Sequence, residues 1–234
     1  MSNPVALATR LLLRRQLTYA VWFWTIAVVA MVVVTAVLAT FGVTGVSVVS
    51  FARQANIWFP FSMQIVTATT YLRVHVASGM TRRTFGWAAL SSAATVALVN
   101  ALLMTTLLGA ERSVHSALGW GWTFQDGGLD PSGRSWPLML ADYGLTFLIA
   151  TLCGLLAGIA FYAGGTRWGT LTLPLTVGPV LAVLALVYTS QAAWHTSAVA
   201  PGTGWVVATG AALAVAMATT FTLIARRTAV AQRP

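Results

Sequence analysis

Six long apolar runs, separated by short polar breaks, organise the chain: roughly 17–41, 54–71, 85–109, 137–163, 170–189 and 204–225. They are about 18–27 residues long, the length a helix needs to cross about 30 Å of hydrocarbon. The pattern predicts an all-α membrane protein, a single transmembrane domain over residues 1–234 with six transmembrane helices. Ahead of the first run, residues 4–16 have Pro4 suited to a first turn and Arg10 and Arg14 on one face. They predict a short N-terminal interfacial helix, its polarity blunted by Arg15 among Leu11, Leu12 and Ala8. Met1–Pro4 lack a signal peptide's cleavage site, so the first span is expected to be retained.

Charge orients the spans. Arg10, Arg14, Arg15, Arg73, Arg82, Arg83, Arg167, Arg226, Arg227 and Arg233 fall on one side of the alternating breaks, and only Arg53, Arg112 and Arg134 on the other. By the positive-inside rule both termini are expected in the cytoplasm. The acidic residues, Glu111, Asp126, Asp130 and Asp142, lie in or near the longest outer loop. Tryptophans give a second reading: Trp22, Trp24, Trp87 and Trp168 are expected at the inner boundary. Trp58, Trp120, Trp122, Trp136, Trp194 and Trp205 are expected at the outer one, where amphipathic rings prefer the headgroup layer.

Composition narrows the function. A formal charge of +9 would suggest nucleic acid in a soluble protein, but 58% of residues are hydrophobic and only 7% charged. The arginines are therefore read as topology signals, with membrane lipid as their partner and no nucleic acid. The chain contains no lysine, so it cannot build the phosphate-binding lysine of a P-loop. Neither a His-Glu-x-x-His zinc motif nor a Gly-x-Ser-x-Gly nucleophile elbow occurs, which argues against a membrane enzyme. No metal site is expected: His115 and His195 lie in separate outer segments, and Asp126 and Asp130 do not fit an EF-hand. Cys153, alone and mid-span, reads as a small core residue.

Within the spans, Pro60, Gln64, Thr67 and Tyr71 share one face of the second. Such a stripe either bonds to neighbouring helices or lines a translocation path. Asn100 reads as packing glue in the third span, and Gly154-x-x-x-Gly158 as a close-approach face in the fourth. Asp142 lies just inside the fourth span's outer end, where Arg53 or Arg112 could neutralise it; an intramembrane acid is structural or functional. Pro174, Gly178 and Pro179 permit a kink in the fifth span. Residues 109–136 read as a turn-rich cap on the membrane surface.

The break between the second and third spans has a predictable shape. Helix can run past Tyr71 to about Ser78, where Gly79 accepts the left-handed cap conformation, and Thr81 can N-cap the third span. The result is a basic helical elbow carrying Arg73, His75, Ser78, Gly79, Thr81, Arg82 and Arg83. It is either a well-capped hairpin with positive-inside anchors or a surface built to press on another protein.

The basic N-terminal segment, six spans and the run Ser78-Gly79-Met80-Thr81-Arg82-Arg83-Thr84-Phe85 resemble the permease subunits of ABC exporters of the six-helix, second-type class, small bacterial ones above all. The architecture covers the whole chain, the motif about eight residues of it. In those permeases a Gly-x-Ser/Thr-Arg-Arg turn follows the coupling helix that contacts the ATPase. The resemblance implies a non-enzymatic permease subunit in a bacterial cytoplasmic membrane, paired with a second protomer, identical or paralogous. Its 71–85 elbow would dock on a separate ABC ATPase, and ATP and magnesium would sit on that partner, with no cofactor in this chain. It also implies that the second and fifth spans line the path. One departure stands out: the external segment 191–201 is short where larger relatives often have an extended structure, and the long loop lies between the third and fourth spans. The alternative is an ATP-independent, proton-coupled carrier using Asp142.

Overall fold

A computed structural model describes residues 3–122, 136–196 and 203–228. Among these residues the chain is about 90% helical with no strand, an all-α protein. In chain order the helices are α1 (Pro4–Thr40), α2 (Ala52–Val66), α3 (Leu72–Ala77), α4 (Arg82–Ala117), α5 (Trp136–Leu171), α6 (Leu173–Thr196) and α7 (Thr203–Arg227). A 3₁₀ turn, Val49–Phe51, leads into α2, and a π-helical turn, Thr67–Tyr71, joins α2 to α3.

Four described segments are long and apolar enough to cross a membrane: Pro4–Thr40, Arg82–Ala117, Met139–Leu171 and Val207–Arg227. Their packing differs sharply. The α5 segment is buried over most of its surface, with Met139, Tyr143, Phe147, Ile149, Leu152 and Ile159 facing every direction. A helix apolar on all sides and enclosed is the centre of a bundle; α2, α4, α6 and α7 surround it. By contrast, α1 exposes Val21, Trp22, Ile26, Val29, Val32 and Val33. So large an apolar surface is untenable in water and natural in lipid, so this is a membrane-embedded protein.

The packing face of α1 is a stripe at helical spacing, Ala8, Leu12, Gln16, Ala20 and Trp24. Ala8 and Leu12 pack with Ala88, and Trp24 donates its indole N–H to the Asn100 side-chain oxygen at 2.8 Å. The two contacts are equally spaced on both helices, so α1 and α4 run parallel in register.

Several boundaries differ from the sequence expectation. No separate interfacial helix occurs at 4–16: α1 is continuous from Pro4 to Thr40, because nothing near Gln16 interrupts the backbone ladder and the stripe keeps its phase across the junction. Trp24 is buried on the packing face of α1 against Asn100. Past Gly109, α4 continues to Ala117, since residues 110–117 lose hydropathy while remaining compatible with helix. The cap expected over 109–136 is therefore helix at its start, and Asp126, Asp130 and Arg134 lie outside the described residues. His115, expected in an outer segment, is buried at the end of α4.

Candidate functional site

The elbow at 71–85 is built from local chemistry. Gly79 adopts φ 82°, the Met80 N–H reaches the His75 carbonyl at 3.0 Å, and the Gly79 N–H reaches that of Val76 at 3.1 Å. This pair of bonds is a Schellman cap, which satisfies the last carbonyls of α3. The Thr81 hydroxyl accepts from the Thr84 N–H at 3.1 Å and N-caps α4. Arg73, Val74, Ala77, Ser78, Gly79, Thr81 and Arg83 are exposed and Arg82 is half-buried.

His75 departs from the expected partner-facing set. It is 6% exposed, its ring meets the Phe85 ring edge-on at 5.4 Å, and its Nδ1 lies 2.9 Å from the Tyr71 carbonyl. A carbonyl can only accept, so Nδ1 carries the proton. His75 is the internal strut of the elbow. Tyr71 and Met80 brace the elbow further by packing on Ala8, Leu12 and Ala88.

Two links run from the elbow into the centre of the bundle. The Arg73 guanidinium sits 5.1 Å from the centroid of the Tyr162 ring on α5, a cation–π contact. Above it, the glycine face of α5 presses on the segment leading to the elbow. A Cβ at Gly158 would come 2.7 Å from the Ala68 Cβ and 2.8 Å from the Ile65 carbonyl oxygen, and one at Gly154 would collide with the Phe61 carbonyl. The Gly154-x-x-x-Gly158 reading is borne out, and its partner is the second predicted span. Ala68 belongs to the π-turn, a departure from α-helical winding frequently found at functional sites.

The polar stripe of that span is buried inside the chain. Gln64 and Thr67 are buried, and the Gln16 side-chain amide donates to the Thr67 hydroxyl at 2.9 Å. Pro60 is buried within α2, and Tyr71 is half-buried beside the elbow. Two of the four proposed path residues thus bridge α2 and the π-turn to α1, the helix-bonding alternative for such a stripe.

At the opposite end of the bundle lies a contact with no warning in the sequence. One Glu111 carboxylate oxygen accepts from the backbone N–H groups of Val48 and Val49 at 2.8 and 3.0 Å. The other accepts from the Ser47 hydroxyl and, at 3.2 Å, the Trp122 indole. The carboxylate on α4 thereby caps the start of the helix 63 residues earlier in the chain, where N–H groups and the helix dipole both favour an anion.

Asp142 is buried in this half of α5 and takes part in a polar interaction. Of the two arginines expected beside it, Arg112 places its guanidinium over the Trp122 ring at 5.5 Å. Arg53 and Asn56 are buried, and nothing in their surroundings bonds the Arg53 Nε or either polar atom of the Asn56 amide. No group of three or more His, Cys, Asp or Glu side chains among the described residues could hold a metal ion.

No protein-family model matches the chain, and no curated protein or solved structure matches it.

Proposed function

We propose that the chain is the transmembrane subunit of an ATP-driven exporter of the ABC class. In this reading it spans a bacterial cytoplasmic membrane six times with both termini in the cytoplasm, pairs with a second permease protomer, and couples to a separate ATPase through the 71–85 elbow. The observation that carries it is the elbow itself. It is closed by caps at both ends, braced on α1 and α4, exposed along Arg73, Val74, Ser78 and Arg83, and tied to α5 through Tyr162. A loop that only orients a hairpin has no need of such bracing.

Register supports the projection of the elbow beyond the membrane. Arg14 and Arg15 of α1 stand level with Leu90 and Ser91 of α4. If these arginines lie in the headgroup layer, the α4 residues 82–91 extend about 15 Å past the hydrocarbon at 1.5 Å per residue. The remaining apolar part of α1, 17–40, is still about 36 Å long, enough to cross.

The mechanism follows from these links. ATP binding on the partner would close its dimer and push the elbow. The push would pass through the π-turn and the Gly158 contact into α5, the helix that touches most of the bundle. Because Gln64 and Thr67 are bonded to Gln16, a path along this stripe would open by parting the π-turn and α2 from α1. Asp142 takes part in a polar interaction, and no observation favours its use as a proton relay in an ATP-independent carrier.

Co-purification tests the reading: a soluble ABC ATPase should be captured with the wild-type chain, and the chain alone should neither bind nor hydrolyse ATP. Turnover by the lone chain would contradict it. Topology has its own test, in a Cys153→Ser background. Cysteines replacing Ser2 and Gln232 should be shielded from an impermeant thiol reagent in intact cells, and one replacing Ser132 should be labelled. Labelling of both termini would overturn the orientation.

A further inference from the structure

The turn that joins α5 to α6 is built inside out. α5 breaks at Gly165, whose φ of 69° lies in the left-handed region that favours glycine. Winding then resumes and carries into α6: the Thr172 N–H reaches the Trp168 carbonyl at 3.0 Å, and the Thr176 N–H reaches that of Thr172 at 2.9 Å. Over this turn Trp168, Leu171 and Leu175 are 67%, 70% and 79% exposed. Their spacing places them on one helical face. The other face carries Gly169 and Thr176, both buried, and Thr172, half-buried. Each threonine hydroxyl bonds the turn's own backbone, Thr172 the Gly169 carbonyl at 3.0 Å and Thr176 that of Leu173 at 3.3 Å. A turn that faced water would point its threonines out and its leucines in.

The register of the bundle gives the height of this ridge. Gln16 of α1 bonds Thr67, and Ala8 and Leu12 pack with Tyr71, so α1 runs antiparallel to α2 and the π-turn. Gly154 meets Phe61 and Gln64, and Gly158 meets Ile65 and Ala68, so α5 runs parallel to them. Arg14 therefore stands roughly level with Ala160 of α5, and Arg10 with Gly164. Gly169 falls within that interval, pressed on Phe161, where a Cβ would collide with the ring. Trp168 begins there too, since a Cβ at Gly164 would come 2.6 Å from its own Cβ. The ridge thus starts at the height of Arg10, Arg14 and Arg15, all exposed, and Arg167 stands exposed at its rim. Arginines gathered at one height suit phosphates of the headgroup layer, and an indole with leucines beyond it suits the boundary just beneath.

We infer that the turn 165–175 is a lipid-binding foot that sets Trp168, Leu171 and Leu175 into the leaflet on the elbow side, with Arg167 paired to the phosphate of an anionic lipid. The small residues Gly164 and Gly169 let it fold back against α5 at Phe161. It thereby holds the end of α5 next to Tyr162, the residue in contact with Arg73 of the elbow. The inference needs the membrane and the arginine belt of α1, not an ATPase, so capture or loss of an ATPase leaves it unaffected.

Spin labels on the full chain test it, in a Cys153→Ser background reconstituted in vesicles of phosphatidylcholine and phosphatidylglycerol. Labels on Leu171→Cys and Leu175→Cys report collisions with oxygen, which concentrates in hydrocarbon, and with a neutral nickel chelate, which stays in water. A label on Leu11→Cys, between Arg10 and Arg14, marks the belt, and one on Ser78→Cys marks the elbow. The oxygen-to-nickel ratio at both ridge positions should exceed that at Ser78 at least twofold. In phosphatidylcholine alone the ratio at Leu171 should fall at least twofold, and Arg167→Gln should remove that dependence on phosphatidylglycerol. Nickel-favoured collisions at both ridge positions, with the Leu11 label in the oxygen-rich layer, would put the ridge in water and overturn the foot. Exclusion of both reagents would mean that protein covers the ridge, a second copy or another segment of this chain, and would overturn it too. Nickel-favoured collisions at Leu11 would overturn the belt and the foot with it. A ratio indifferent to phosphatidylglycerol would overturn the pairing of Arg167 with anionic lipid.

Discussion

The two ends of the bundle solve the same problem in opposite ways. At the elbow end, helix termini are satisfied by their neighbours in sequence: the Schellman cap at Gly79 and the hydroxyl cap at Thr81 use residues within a few positions. Its charges are left outside, on Arg73 and Arg83. At the Glu111 end, the start of the second predicted span is satisfied from far along the chain by a carboxylate on α4. A positive charge there, Arg53, is held inside. An end that closes its own backbone and displays its charge is suited to meeting another protein. An end that spends an acid on internal ties and buries a cation is suited to holding the helices together. The two ends should therefore respond to mutation differently, in partner binding at one and in stability at the other.

The largest expected effect lies between them, where α5 presses on the π-turn. Gly158→Val adds bulk where even a Cβ would sit 2.7 Å from Ala68. It should destabilise the fold by about 3 kcal/mol, the upper range for overpacking a tight core. Thermal unfolding in detergent measures it; an unchanged midpoint would mean that the helices can separate without cost and that the elbow is mechanically isolated.

Next comes the carboxylate cap. Glu111→Ala strips the Val48 and Val49 N–H groups of their acceptor and should cost about 2 kcal/mol, the scale of hydrogen bonds to a charged group. If that end were instead a docking surface, stability would hold and only partner capture would fall.

A smaller loss, about 1 kcal/mol, is expected for Trp24→Phe, which leaves the buried Asn100 oxygen without its donor. Trp24→Phe combined with Asn100→Leu should recover part of the loss, since removing both polar groups is cheaper than stranding one. Additive losses would show that the two side chains do not act as a pair.

Which features could be read from the chain follows a physical rule. Gly79 and Thr81 were legible because caps are local: a residue that tolerates positive φ and a hydroxyl two positions later suffice. The apolar runs were legible because lipid demands them, but hydropathy marks where lipid ends, not where helix ends. That is why α4 outlasts the third run by a further two turns and α1 begins well before the first. The bond made by Trp24 was hidden for a related reason. Indole suits a membrane boundary, yet only the fold could bring its N–H to Asn100. The Glu111 cap depends on a contact between distant segments, and no spacing announces it.

The central claim is that the elbow is a docking surface rather than an anchored hairpin, and one measurement tests it most directly. Arg82→Glu with Arg83→Glu reverses charge on an exposed and a half-buried side chain without touching the His75–Phe85 contact, the Gly79 cap or the Thr81 hydroxyl. Surface changes of this kind alter stability by no more than about 0.5 kcal/mol. Like-charge contact with an acidic partner face, however, costs several kcal/mol of binding. The account predicts that the double variant unfolds at the wild-type temperature, inserts as wild type does, and no longer captures the ATPase or stimulates its turnover. Capture and turnover at wild-type levels, in protein that is equally stable and equally inserted, would contradict it.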